Sequence, residues 1–420
     1  MLYYQFEELR DRLEKDYPKY YQLKYSIPAV SVKEVKDILD EDTALLEYMV
    51  IDSSIYIFFI SKNVFDITTV KIDSMLKINA DSMIAGIINQ KFVQYTQHAY
   101  ILYNYVIEPL ESMLGGKKRL VIIPDGVICN IPFEALLTHN VKHENRKQDY
   151  RTLPYLINKS TISYNYCTTL FLGNLNNNYK EPKRDYLAYA PAYSNGIMNN
   201  SKARSFLGID DVRDDILSQE AYLPATKDEV LGIQKIFNRN YGLISWAKNK
   251  LFKKLTRVYL GEDATEENLK SSQTQDYRYL HLATHGAVNK KIPALSGLIF
   301  SQDTADEDGV LYLGEIYNLK LNADLAVLSA CGTGNGKWVE GEGIINLTRG
   351  FLYSGAKNIM VSLWKVNDIN TSKFMIEFYS NLLNRDTMSQ ALRNAKQKMI
   401  DGGYDFAMPY YWASFILIGQ

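Results

Sequence analysis

Tyr279-Leu-His-Leu-Ala-Thr-His285-Gly286 and Leu325-Ala-Val-Leu-Ser-Ala-Cys331-Gly332 are two short apolar runs, each ending on a reactive side chain that glycine follows at once. Apolar runs of this length, without the longer period of a helix, read as buried strands. A residue just past such a run emerges at the strand's C-terminal end, the edge at which open α/β sheets hold their ligands. The histidine and the cysteine lie 46 positions apart.

Working outward from these two runs, the chain from about Tyr186 alternates strand and helix. Strands are expected at Tyr186–Ala190, Arg257–Leu260, Tyr279–Thr284, Leu325–Ala330, Asn358–Trp364 and Trp412–Ile418. Helices are expected at Lys227–Phe237, Thr265–Ser271, Gly343–Tyr353, Asn370–Leu383 and Ser389–Ile400. A hairpin of Leu298–Ser301 with Val310–Leu313 spans the acidic turn Asp303–Gly309. Six core strands with interleaved helices imply a doubly wound, mostly parallel sheet. Ahead of it, Ala44–Ile51 and Ser54–Ser61 flank Asp52-Ser53 as an antiparallel hairpin. A helical pattern fills Ser74–Met113, Arg119-Leu-Val-Ile-Ile is a buried strand, and Pro132 opens a helix. Thr138–Thr152 reads as a surface loop, and Phe6–Leu13 as the tail of an amphipathic helix, which suggests a fragment of a longer protein.

Cysteine acts as a nucleophile as its thiolate, and a neighbouring histidine takes the proton or stabilises the anion. Cys331 would attack an acyl carbon, and His285 would protonate the leaving amine and then activate water. Gly286 and Gly332 lack a Cβ and let backbone approach a substrate carbonyl, so the amides of Gly286 and Cys331 are candidates for an oxyanion hole. A cysteine preceded by Ala and followed by a glycine turn, with a histidine roughly 50 residues upstream, is the caspase-type arrangement, although Gln-Ala-Cys itself is absent. His281 is a second candidate base, but it sits mid-strand and lacks the glycine. Cys129 and Cys167 have no such context. Cys331-Gly-Thr-Gly-Asn-Gly-Lys-Trp338 imitates a phosphate-binding loop but fails at both ends, where Gly and Ser or Thr are required.

Bulk properties narrow the setting. The 420 residues suggest two domains. With 46% hydrophobic and 23% charged residues and a net charge of −1, nothing points to nucleic acid or an anionic membrane. Three scattered cysteines fit a reducing compartment and neither a disulfide framework nor a zinc site. His139 and His143, at i and i+4, lack the further ligands a metal needs, so no metal and no cofactor is expected. With no membrane-spanning run and no signal peptide, the expected location is the cytoplasm.

The chain resembles the CHAT family, the caspase-like proteases associated with tetratricopeptide repeats in bacteria. The motifs, in order, are Ala44-Leu-Leu-Glu-Tyr, Ile123-Pro-Asp-Gly, Ile131-Pro-Phe-Glu-Ala-Leu-Leu, Leu223-Pro-Ala-Thr, Gly261-Glu-Asp-Ala-Thr, Ala283-Thr-His-Gly and Asp308-Gly-Val-Leu. The densest stretch follows, with Asp324-Leu-Ala-Val-Leu-Ser-Ala-Cys-Gly-Thr-Gly, Gly341-Glu-Gly, Arg349-Gly-Phe-Leu-Tyr-Ser-Gly-Ala, Ser362-Leu-Trp-Lys-Val-Asn-Asp and Tyr411-Trp-Ala-Ser-Phe. The resemblance implies an α/β, caspase-like three-layer αβα peptidase domain over 181–420 with a six-stranded, mostly parallel core sheet and a Cys331–His285 dyad. It further implies an N-terminal α/β pseudo-protease-like lobe over 41–180 and a helical linker remnant over 1–40. Such a peptidase cleaves a specific protein substrate under the control of upstream repeats or a partner, often in bacterial signalling or defence. Caspase relatives dimerise through an edge strand.

Around the expected cleft, Tyr193, Ser362 and Trp364 border the strand ends and suit an apolar or extended peptide. The acidic residues Asp303, Asp306, Glu307, Asp308, Glu340 and Glu342 would favour Arg or Lys before the cut if one lined the pocket. Glu342 also suits a helix N-terminus. Two further readings stand beside the endopeptidase: a silent caspase-like scaffold or partner-binding module, and a small-molecule acyl transferase using the same dyad.

Overall fold

The computed structural model describes Lys15 and residues 30–141, 149–176, 181–191, 224–240, 255–271, 273–287, 289, 295–301, 307–329, 337–339, 343–345, 347–403 and 406–419. The expected helix at Phe6–Leu13 lies outside them.

Helix α1 (Val32–Ile38) precedes a meander of β1 (Thr43–Ile51), β2 (Ser54–Ser61) and β3 (Phe65–Lys71). The first turn is tight because Asp52 takes the left-handed conformation, φ 49°, which Asp tolerates better than most residues. Helices α2 (Met75–Ile88) and α3 (Phe92–Val106) follow, then β4 (Arg119–Ile123), β5 (Thr161–Tyr164) and helix α4 (Thr168–Asn176). The alternating half is β6 (Arg184–Ala190), α5 (Pro224–Asn240), β7 (Thr256–Leu260), α6 (Glu266–Lys270), β8 (Tyr277–Leu282), β9 (Gly286–Ala287), β10 (Gly297–Ile299), β11 (Val310–Tyr312) and α7 (Leu313–Ile316). It ends with β12 (Leu325–Leu328), β13 (Lys337–Val339), β14 (Gly343–Ile345), α8 (Leu347–Tyr353), β15 (Ile359–Ser362), α9 (Asp368–Leu383), α10 (Met388–Asp401) and β16 (Phe415–Ile418).

Eleven strands make one sheet in the order β3-β2-β1-β4-β5-β16-β15-β12-β8-β6-β7. Strands β7, β6, β8, β12 and β15 run parallel, and β16 closes this set antiparallel to β15. By order of appearance the six are arranged 2-1-3-4-5-6, with the doubly wound switch between β6 and β8. Strand β16 is interior, because Tyr164 of β5 pairs alongside Ile418. The last strand is therefore no open edge, because this chain's own N-terminal half pairs with it.

Alternation along the strands sets the layers. Tyr186 on β6 and Tyr279 on β8 pack against Phe237 of α5 and Tyr379 of α9 on one face. Tyr189, of opposite parity, meets Tyr259 and Phe300 on the other face, where the β10–β11 hairpin lies. This is the three-layer αβα arrangement expected from the sequence.

The local expectations need several corrections. Pro132 introduces only a 3-10 turn, Phe133–Ala135, because the backbone turns extended again at Leu136. The 74–113 region is two long helices, broken at Gln90 with φ 54°, followed by a 3-10 turn at Glu108–Leu110 and a short helical turn at Glu111–Leu114. Gly86 lets the two long helices close, since a Cβ there would lie 2.7 Å from the Tyr95 amide nitrogen. Residues 343–345 form a strand paired with 337–339, and the helix starts only at Leu347. Trp412 ends a helical turn, Pro409–Trp412, so the last strand begins at Phe415. Within the expected surface loop His139, Asn140, Arg151 and Thr152 are exposed, whereas Thr138 and Tyr150 are buried. Strand β3 is an edge strand that the sequence reading had not marked.

Candidate active site

The site is built on the C-terminal edge of the parallel strands. Leu282 of β8 pairs directly with Leu328 of β12, with Tyr189 of β6 on one side and Val361 of β15 on the other. His285 follows Leu282 by three positions, and Cys331 follows Leu328 by three. Cys331 and Gly332 lie outside the described residues, as do Tyr193, Glu342, Asp303, Asp306 and Glu340.

His285 is buried, 7% exposed, and the β10–β11 hairpin holds its backbone. The Ile299 amide donates to the His285 carbonyl at 2.9 Å, and the Thr284 hydroxyl donates to the Ile299 carbonyl. Gly286 opens β9, pairing with Leu298. Strand β10 is seated in turn on the Gly261-Glu-Asp-Ala-Thr turn. The Ser301 hydroxyl donates to the Gly261 carbonyl at 2.8 Å, and its amide to the Ala264 carbonyl at 3.0 Å. Gly261 takes φ 54°, a conformation that favours glycine.

His281 is fully buried. One ring nitrogen meets Glu229 of α5 at 2.7 Å and the other the Tyr379 hydroxyl at 3.3 Å. Both nitrogens are engaged inside the helical layer, so His281 is a core histidine and His285 the one presented at the strand ends. Burial pushes the Cys129 thiol up to about 12, with Asp125 adding to it, and burial also raises Cys167. Neither forms a thiolate near neutral pH.

On the far side of β12, Ser362 ends β15 and Trp364 stands two residues beyond. Both are buried. The Trp364 indole donates to the Tyr410 carbonyl at 3.0 Å, and the Leu363 amide donates to the Ser414 carbonyl at 2.8 Å. Trp364 is thus a fixed wall whose N–H is spent within the fold. Two acidic candidates are also engaged. Asp308 accepts from the Val310 amide at 3.0 Å, and Glu307 accepts from Lys270 at 2.8 Å. His139 meets the neighbouring Thr138 hydroxyl at 2.7 Å. The only group of three or more metal-ligating side chains among the described residues is Glu266, Glu307 and Glu315, which surround Lys270. The sequence reading missed this cluster. Its only local signal was the i,i+4 pair Glu266 and Lys270.

A six-stranded, mostly parallel core with one antiparallel closing strand, and a histidine held at its C-terminal edge, is the caspase-like class of α/β fold. Residues 96–420 match the CHAT domain, and the chain belongs to that family. Curated relatives include human tetratricopeptide repeat protein 28, 31% identical over 76% of this chain, and the mouse protein of the same name, 24% identical over 76%. The chain spans 13% of the length of each. Among solved structures, gingipain R, an Arg-specific cysteine proteinase, is similar with a TM-score of 0.44 and 10% identity, covering 82% of this chain and 73% of that one. A Saccharomyces cerevisiae separase–securin complex matches with a TM-score of 0.41 and 11% identity, covering 83% of this chain and 22% of that one. Among the described residues, no helix is long and apolar enough to cross a membrane.

Proposed function

We propose that this chain is a cysteine endopeptidase in which Cys331 attacks the scissile carbonyl and His285 serves as its acid and base. The observation that carries the reading is the Leu282–Leu328 register, because His285 and Cys331 stand at the same distance in sequence beyond two adjacent parallel strands. Formation of the acyl-enzyme breaks the C–N bond, and His285 returns the thiol proton to the leaving amine. Water, deprotonated by the same imidazole, then releases the acid and regenerates the thiol. The amides of Gly286 and Cys331 are proposed to hold the oxyanion. Tyr193, Ser362 and Trp364 would border the peptide, and Glu342 would either contact substrate or cap the chain near α8. Membership in a family related to repeat proteins supports control by a tetratricopeptide-repeat region or an activator. The substrate is then a protein recognised under that control.

The test is digestion of a proteome-derived peptide library by the protein and by its Cys331→Ala and His285→Ala variants, with thiol alkylation in parallel. Each variant is expected to lose about 1,000-fold or more in cleavage rate. Cys331 should be alkylated well ahead of Cys129 and Cys167, whose thiols are raised. A Cys331 no faster than those two, with no cut in any condition, would replace the peptidase by a caspase-like binding scaffold.

A further inference from the structure

We propose that Lys270 is a positioning residue that locks the β10–β11 hairpin, which holds the His285 backbone, against helix α6. This proposal deepens the endopeptidase reading and takes the role of His285 from it. The Lys270 ammonium binds three carboxylates from three successive pieces of chain. Glu266 on its own helix lies at 2.6 Å, Glu307 at the entrance to β11 at 2.8 Å, and Glu315 on α7 at 2.8 Å. Glu315 reaches both ways, because its other oxygen accepts from the Tyr312 amide at 2.9 Å, where β11 becomes α7. The cation therefore fastens both ends of β11 to α6. Strand β11 pairs with β10 through Leu311 and Leu298, and β10 in turn holds the carbonyl of His285 through the Ile299 amide. From the ammonium to the His285 backbone, every link is a contact between neighbouring elements.

Among the described residues Lys270 is the one cation these three carboxylates share, which makes the lock sensitive to its loss. Glu266 is 1% exposed. Without Lys270 it would be a buried carboxylate facing two others, and like charges at this range separate or take up protons. The arm free to move is the β10–β11 hairpin, since Glu266 and Lys270 share a helix. Burial and the two neighbouring carboxylates already push the Glu266 carboxyl up to about 7, against the pull of Lys270.

The experiment labels the histidine rings with carbon-13 in the full chain and compares wild type with Lys270→Met, Lys270→Arg and the double variant Lys270→Met/Glu266→Gln. The readouts are the His285 ring signal, assigned with His285→Gln, and hydrogen exchange at the Ile299 amide. The His281 signal is the internal control, because its ring is held by Glu229 and Tyr379 on the opposite face. Expected for Lys270→Met are a shifted or broadened His285 signal, at least about tenfold faster exchange at Ile299 and an unmoved His281. Lys270→Arg and the double variant should recover toward wild type and keep the test available if Lys270→Met fails to fold. A wild-type His285 signal and wild-type Ile299 exchange in Lys270→Met would overturn the proposal, as would equal shifts at His281 and His285. The pH dependence of Cys331 alkylation separates the two readings. If His285→Gln leaves it unchanged the dyad is wrong, whereas the lock stands or falls on the ring signal.

Discussion

Asp368 shows how a single side chain just past the end of β15 couples folding to protons. It opens α9 just after β15, half-buried, and burial together with the nearby Glu229 carboxylate pushes its carboxyl up to about 6 despite Lys365. Folded Asp368 therefore keeps its proton up to about pH 6, while an unfolded aspartate releases it near about 4. Folding takes up a proton between these values, so this residue's contribution is present at low pH and is lost as pH rises through about 6. The shift corresponds to at most about 3 kcal/mol, and solvent screening of this half-exposed carboxyl brings it nearer about 1 kcal/mol. Other carboxylates act oppositely, among them Asp40, whose pull from Thr43 and Arg119 outweighs its burial and lowers its carboxyl. The contribution is therefore read as a difference between proteins. Urea unfolding at pH 4.5 and 7.5 should show Asp368→Asn gaining on wild type at the higher pH. Equal differences at the two pH values would contradict this. The proposed dyad is a reading of the sequence, in which each reactive side chain ends an apolar run, and the structure describes only its histidine. The grip on His285 was not legible there, because it comes from Ile299 and, through the hairpin, from Lys270, whose partners Glu307 and Glu315 are distant in sequence.

Among the elements, α10 ties the two halves of the chain together. Lys396 is fully buried and meets Glu134 at 2.6 Å, and Glu134 also accepts from the Tyr164 hydroxyl. One turn earlier, Arg393 donates to the carbonyls of Ile157 and Asn158 at 2.8 Å each. The motif Pro-Phe-Glu-Ala-Leu around Glu134 is thus a buried counter-charge. Asp324, ahead of the Cys331 strand, similarly receives Arg278 at 3.0 Å and Lys357 at 2.6 Å and aligns the starts of β8, β12 and β15. Both motifs marked the family correctly, yet in the structure they hold strands and helices in register. Glu134→Gln should destabilise by about 3–5 kcal/mol, since it strands Lys396, whereas Glu134→Leu with Lys396→Met should cost much less. Chemical denaturation of the single and double variants checks this, and equal losses would show that the charge itself is not what matters. Element types were readable wherever an apolar run was bounded by turns. They were misread where only Asn346 separates Gly343-Ile-Ile from the helix at Leu347, and where Phe65-Asp-Ile-Thr-Thr-Val-Lys forms an exposed edge with few apolar residues.

For the whole molecule, the decisive fact is that one sheet runs through both halves. A division near residue 181 follows the change from mixed to alternating pattern, and the sequence supports it as a topological boundary. The structure adds what crosses it: β5 against β16, Glu134 against Lys396, and Arg393 against the turn at Ile157. Hydrophobic burial crosses it too, since Tyr155 packs edge-on against Trp412 with ring centroids 5.0 Å apart and both side chains are fully buried. Separating the halves would expose the hydrogen-bonding edge of β16 and leave a buried ammonium unpaired, two costs that neither half can recover alone. The halves should therefore unfold together. Differential scanning calorimetry of the full chain is expected to give one transition whose calorimetric and van't Hoff enthalpies agree. The Glu134→Gln variant should lower that transition without splitting it. Two resolved transitions in wild type would mean that the contacts across β5 and β16 are too weak to couple the halves, and that 181–420 folds as an independent domain.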